Sequence, residues 1–141
     1  MDHVIRKTDA ENLLPIRSIM LRKNADFDLC RYKGDNKKDS IHLAYFLNKK
    51  IIGAVSLIKN IPTHKNLKNC VQVRGMCVLN EYQGMGVGKK LKTVFKENDD
   101  VKKSIVVIII AAYHCNLVLL RPSFGQKQWS ICLFDHTCSH L

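Results

Sequence analysis

Residues 71–91 read VQVRGMCVLNEYQGMGVGKKL, and the rest of the chain is best understood outward from them. An alternating, β-prone segment runs into Gln83-Gly84-Met85-Gly86-Val87-Gly88, and a basic segment with helical spacing follows. A strand that opens through glycines into a helix N-terminus is a phosphate cradle. The first N–H groups of such a helix lack carbonyl partners, and its dipole favours negative charge there. Glycine lets the backbone reach an anion with no Cβ in the way. Three glycines in the five positions 84–88 carry an entropy cost that a plain turn does not need.

Two familiar cradles are excluded. A dinucleotide fingerprint has its glycines at G-x-G-x-x-G and an acidic residue about 20 positions on, and neither is present. A P-loop needs a hydroxyl residue after its lysine, and Lys90 follows Lys89.

The 141 residues and 46% hydrophobic content fit one folded domain spanning residues 1–141. The net charge of +11 points to an anionic partner: nucleic acid, an anionic surface, or a coenzyme carrying several phosphates. The basic residues are scattered in pairs such as Lys37-Lys38, Lys49-Lys50, Lys89-Lys90 and Lys102-Lys103 rather than gathered in one stripe. Aromatic residues make up 7% and form no stacking cluster among them, so no nucleic-acid partner is expected. Cysteines stand at 30, 70, 77, 115, 132 and 138 with no C-x-x-C pair, behind a polar, charged start that resembles no signal peptide. Reduced thiols of a cytoplasmic protein are the expectation. Cys132, His136, Cys138 and His140 fit no zinc spacing, and no metal is expected. Residues 104–120 are mostly apolar but include Tyr113, His114 and Asn116, and they fall short of the roughly 20 apolar residues of a membrane span. A buried strand followed by an apolar turn or helix is expected there, with no membrane partner.

Patterning gives the element order. Residues 4–7 read as a strand. Thr8-Asp9-Ala10-Glu11 reads as a capping box, opening a helix whose apolar residues are Leu13, Leu14, Ile16, Ile19, Met20 and Leu21, with Pro15 kinking it or delaying its start. Residues 24–40 read as a polar loop. Residues 41–47 and 51–59 form a hairpin through Asn48-Lys49-Lys50. Residues 61–69 connect to a strand over 70–79. A helix over 86–98 buries Val87, Leu91, Val94 and Phe95 and ends at Asp99-Asp100. Residues 105–112 are a β-branched run typical of a strand buried on both faces. The order β, α, β, β, β, α, β predicts an α/β domain with a mixed sheet flanked by helices, its last two strands parallel.

Gln83, Gly86 and Gly88 match the Q-x-x-G-x-G signature of the GNAT acyltransferases, which cradles the pyrophosphate of acetyl-coenzyme A. From residue 4 to 116 the chain resembles the small bacterial GNAT subgroup that includes glyphosate N-acetyltransferase. Ile19-Met20-Leu21-Arg22-Lys23-Asn24 is similar to its I-L-R-P-N entry segment. Gln72-Val73-Arg74-Gly75-Met76 is similar to its Q-L-R-G-M strand, and Cys115-Asn116 to the start of its W-C-N-A-R segment. Gly34-Asp35, His42-Leu43 and Gly53-Ala54-Val55-Ser56 follow in the family's order.

The resemblance implies a GNAT-like fold and an N-acetyltransferase using acetyl-CoA as cosubstrate on a small primary or secondary amine, as monomer or homodimer. An anionic, amino-acid-like amine is the candidate that the arginines suggest. It further implies that Gln83, Gly84, Met85, Gly86, Val87, Gly88 and Lys89 hold the coenzyme phosphates. Met76, Cys77 and Val78 supply the strand edge against the coenzyme, with Asn116 as a further coenzyme contact. Arg22 and Arg74 hold the substrate's anionic group, since a guanidinium fork suits such a group. The family places a histidine base near the C-terminus; His140 is nearest in position and His136 next.

Beyond Asn116 the text departs from the subgroup. The Ala-Arg pair, the following tyrosine and the final Gly-Pro-His are missing; no tyrosine follows Tyr113. Residues 117–141 are therefore either divergent or read in a broken frame. The alternative function is a protein that binds acetyl-CoA with impaired or lost catalysis; a basic nucleic-acid-binding domain is the third and weakest.

Overall fold

The computed structural model describes residues 1–59, 70–103, 106–110, 116–120 and 130–133. One sheet carries β1 (His3–Thr8), β2 (Ile41–Leu47), β3 (Lys50–Lys59), β4 (Cys70–Val78), β5 (Val106–Ile110), β6 (Asn116–Leu120) and β7 (Ser130–Leu133), in chain order. Every neighbouring pair is antiparallel except β4 and β5, which run parallel. The helices are α1 (Leu14–Leu21), α2 (Val87–Lys96) and α3 (Asp99–Lys103), with 3-10 turns at Ala10–Leu13, Phe27–Cys30 and Asn80–Tyr82. This is the mixed α/β architecture that the patterning predicts.

The two longer helices cover opposite faces. Successive strand residues point to opposite sides. His42 and Ser56 reach Arg17 and its partner Asp35 on the α1 side, while Tyr45 meets Lys90 of α2. The core gathers Leu13 of the first 3-10 turn, Ile16 of α1, Ala54, Val55 and Leu57 of β3, Val71 and Val73 of β4, and Val87, Leu91 and Phe95 of α2. Each fully buried side chain of this size contributes about 1.5–3 kcal/mol.

Several local expectations change. Thr8 is no helix cap: it ends β1, paired with His42, and its Oγ1 accepts from Asn12 Nδ2 at 2.9 Å. Glu11 turns outward to Arg31. Pro15 delays the helix rather than kinking it, because α1 begins at Leu14 with the proline in its first turn. Ile19 is 55% exposed, on the side of α1 away from Leu14, Arg17 and Ser18, and Val94 is 38% exposed at the rim of the buried face of α2. Asp99 starts α3 instead of ending α2; Asn98 Oδ1 accepts the Val101 N–H at 3.4 Å and caps the new helix. Residues 116–120 form a strand, β6, hydrogen-bonded along β5, where a turn or helix was the expectation. Among the described residues no helix is long and apolar enough to cross a membrane.

Candidate active site

The site begins with a break in the regularity of β4. Ala54 pairs with Cys77, but Ser56 pairs with Arg74, so β4 holds one extra residue opposite Val55. This is a β-bulge, and Gly75 within it has φ +60. Paired residues share a face. The bulge therefore turns Arg74 to the α1 side with Ser56, and Cys77 to the same side with Ala54. Met76 and Val78 point to the α2 side, where their side chains flank Gly88. β4 pairs with β5 only from Cys70 to Val73, while its pairing with β3 continues to Val78. Residues 74–78 thus present a backbone edge with no ladder partner on the β5 side among the described residues.

That edge leads through the 3-10 turn into the glycine loop. The Gln83 side chain closes the connection, its Nε2 donating to Val78 O at 2.9 Å and to Asn80 Oδ1 at 3.2 Å. Gly86, at φ 81 and ψ 7, is the residue from which α2 starts. That left-handed conformation costs most L-residues about 1–2 kcal/mol. Among the described residues, a Cβ at Gly84 or Gly86 would meet nothing within 4 Å. The first α2 N–H with a backbone acceptor is that of Lys90, bonded to Gly86 O at 3.0 Å, which leaves the N–H groups before it directed out of the helix end. No acidic residue lies in the first turn, while Lys89 and Lys90 do. The loop is built for an anion.

On the α1 side lies a cluster of guanidiniums. Arg17 is fully buried and bonds Asp35 with both terminal nitrogens, at 2.7 and 3.1 Å. It also donates to Ser56 Oγ at 2.8 Å and to Cys30 O at 3.1 Å. Because a carbonyl only accepts, His42 Nε2–H donates to Asp35 O at 2.9 Å and Nδ1 accepts from the Ser56 hydroxyl at 2.8 Å. The Tyr32 ring has the Arg17 guanidinium at 4.1 Å and that of Arg74 at 4.1 Å. Burial raises the Tyr32 phenol above its usual value, against the lowering charges of Arg17, Arg74 and Arg22. Burial lowers the half-buried Arg74, and the like charges of Arg22 and Arg17 push the same way. Asp35, the carboxylate buried here, is committed to Arg17, so the charges of Arg22 and Arg74 are left without an acidic partner among the described residues. Burial also pushes the Cys77 thiol up to about 12.

The sequence profile of the Acetyltransferase (GNAT) family matches residues 11–97, more than half of the chain. The chain belongs to the GNAT family. Solved structures agree in fold. An aminoglycoside acetyltransferase from an uncultured soil metagenomic sample superposes with a TM-score of 0.60 at 14% identity, covering 79% of this chain and 80% of that one. AAC(6')-Iy in complex with a bisubstrate analogue gives 0.61 at 13% identity, covering 81% and 82%. A GNAT family N-acetyltransferase, YhbS of Escherichia coli, in complex with CoA, gives 0.58 at 16% identity, covering 77% of this chain and 62% of that one. A search of curated protein sequences finds no match.

Within this GNAT fold the expected residues form two groups. Met76, Cys77, Val78 and residues 83–89 are contiguous around the opened edge and the α2 end. Arg74 joins the guanidinium cluster, and Arg22, exposed at the end of α1, acts on it electrostatically. Lys23 and Asn24, both at positive φ, turn the chain back, and the Asn24 N–H bonds Ser18 O at 3.0 Å. Asn116 is the first residue of β6, paired with Ile110. His136 and His140 lie outside the described residues. So does Cys138, and with it three of the four residues of the metal set rejected on spacing. Arg17 and Tyr32 went unrecognised in the sequence. A signal for Arg17 existed: it stands one helical turn from Leu13, Leu14 and Met20 on the buried face. Tyr32 had none, sitting in a stretch whose composition reads as polar loop. A separate open groove of about 720 Å³ runs beside β1 past Arg6, Asn12 and Phe46; none of the expected residues lines it.

Proposed function

We propose that this chain is an acetyl-CoA-dependent N-acetyltransferase for a small anionic amine, close in design to the glyphosate N-acetyltransferase subgroup and acting in the cytoplasm. One observation supports the reading: among the described residues β4 runs on past its last pair with β5, and the glycine turn that follows delivers the start of α2 with no described atom against its glycines at 84 and 86. The fit to the coenzyme is good. The loop has room where the pyrophosphate would lie, its N–H groups point outward, and nearby lysines add positive charge.

When bound, acetyl-CoA supplies an acetyl group activated as a thioester. The N–H groups of residues 83–89 hold the phosphates. The edge at residues 76–78 would offer backbone N–H groups to a thioester carbonyl bound there; such a donor is typically worth about 10²–10³ in rate. Arg74 and Arg22 bind the amine's anionic group and so aim its nitrogen at the acetyl carbon. His140, or His136, takes the proton from the amine.

A second reading is favoured by the C-terminal text. No tyrosine follows Tyr113 to protonate the leaving thiolate. A missing acid–base group costs about 10²–10⁴ in rate. Coenzyme binding, which draws mainly on residues before 100, would survive. Thiol release from acetyl-CoA over a panel of small amines, run beside a calorimetric titration, separates the readings. Amine-dependent release that His140→Ala abolishes supports the enzyme and names its base. Tight binding with negligible release supports the impaired form. Absence of binding removes both.

A further inference from the structure

The Tyr32 ring stands with a guanidinium 4.1 Å from its centroid on account of Arg17 and another at 4.1 Å from Arg74. At that range each face of the ring has room for one planar guanidinium. The two are not equivalent. Arg17 is fixed by Asp35, Ser56 and the Cys30 carbonyl and is fully buried. Arg74 is half-buried, and among the described residues its guanidinium has neither a hydrogen bond nor an ion pair. Tyr32 itself is pinned. Its N–H donates to Asp35 Oδ2 at 2.8 Å, and its ring lies so close to the bulge that a Cβ on Gly75 would sit 2.8 Å from its Cε2.

We infer that Tyr32 is a positioning residue: its ring, bedded on Arg17 and on Gly75, holds the Arg74 guanidinium in place to receive the anionic group of the acceptor amine. The inference rests on the reading of Arg74 as the acceptor's partner. An arginine head free in solvent must be ordered when its ligand arrives, at a cost to affinity. Stacking on a fixed ring orders it beforehand and leaves every N–H free, since a π-face occupies none of the donors. The bulge glycine is part of the device, because any side chain at position 75 would displace the ring. The Tyr32 hydroxyl has no hydrogen-bond partner among the described residues. The ring, not the hydroxyl, is the working part.

The test is calorimetric titration of the full chain with aminomethylphosphonate and, separately, with ethanolamine, each in the presence of coenzyme A. Wild type is expected to bind the phosphonate more tightly. Tyr32→Leu is expected to weaken the phosphonate about tenfold and ethanolamine by less than about twofold. Tyr32→Phe is expected to restore the phosphonate affinity to within about threefold of wild type, which a general structural role of the hydroxyl would not allow. Coenzyme A affinity checks the fold of each variant; should Tyr32→Leu lose it, Tyr32→Met carries the same comparison. If Arg74→Gln loses the phosphonate preference and Tyr32→Leu and Tyr32→Met keep it, the inference is overturned while the role of Arg74 stands. If Arg74→Gln keeps the preference, or wild type has none, the role of Arg74 fails and the inference falls with it.

Discussion

Replacing Gly86 by aspartate separates the stability of the fold from its affinity for the coenzyme. Gly86 sits at φ 81 and ψ 7, and a Cβ there meets no atom of the described residues within 4 Å, so none of them clashes with the change. The left-handed conformation costs an L-residue about 1–2 kcal/mol, and aspartate toward the low end. A negative charge at the start of α2 returns about 0.3–1 kcal/mol through the helix dipole. The net change in stability is within about 1 kcal/mol, or roughly 4 °C in Tm for a chain of this size. Coenzyme binding behaves differently. One carboxylate about 5 Å from one phosphate charge, at an effective dielectric of about 20, is worth roughly 3 kcal/mol of repulsion. Gly86 is exposed, so screening leaves about 1–2 kcal/mol, a loss of roughly 5- to 30-fold in Kd. Gly86→Asn has nearly the same shape without the charge and is expected to lose less than about threefold. Titration calorimetry with acetyl-CoA at low salt, beside thermal melts, reads both quantities. An aspartate variant that melts like wild type and binds acetyl-CoA equally well would refute the assignment of this loop to the phosphates.

Other expectations follow from the same geometry. Arg74→Lys removes the bidentate fork, so KM for acidic amines rises about tenfold with little change for neutral ones; a uniform rise would assign Arg74 to structure alone. Asp35→Ala strands the buried Arg17 charge, and a urea melt is expected to show a loss of about 3–5 kcal/mol, with a loss below about 1 kcal/mol counting against the buried pair. The folded Cys77 thiol, raised by burial from 9.0 to about 12, stays protonated where the unfolded one ionises. Its contribution is therefore whole below pH 9.0 and lost as pH climbs toward 12, and Cys77→Ala should flatten that alkaline decline in stability.

The strands up to residue 110 and the glycine turn into α2 were legible because they are local. The alternation of residues 71–78 and the glycines at 84, 86 and 88 state their own conformations, and the β-branched run at 105–112 needs no partner to be read. The guanidinium cluster was not legible. Arg17, Tyr32, Asp35, His42, Ser56 and Arg74 come from separate elements and meet only through tertiary packing. Tyr32 was hidden in a stretch of polar composition, and Gly34-Asp35 was read there without its role as the partner of a buried arginine. The bulge escaped for a related reason. The Arg-Gly-Met text at 74–76 permits an extra residue, but only the register against β3 reveals one. Thr8 misled because a capping box and a strand end share the same residues, and the ladder to His42 prevailed.

Transfer of the acetyl group to an amine tests the central claim most directly. Purified chain is incubated with acetyl-CoA and aminomethylphosphonate, and product mass is followed together with free coenzyme A thiol. The expected result is an N-acetylated product appearing in step with the thiol, slowly, and suppressed in the Arg74→Gln variant. Thiol release without acetylated amine, or product formed at the same rate without the protein, would contradict it.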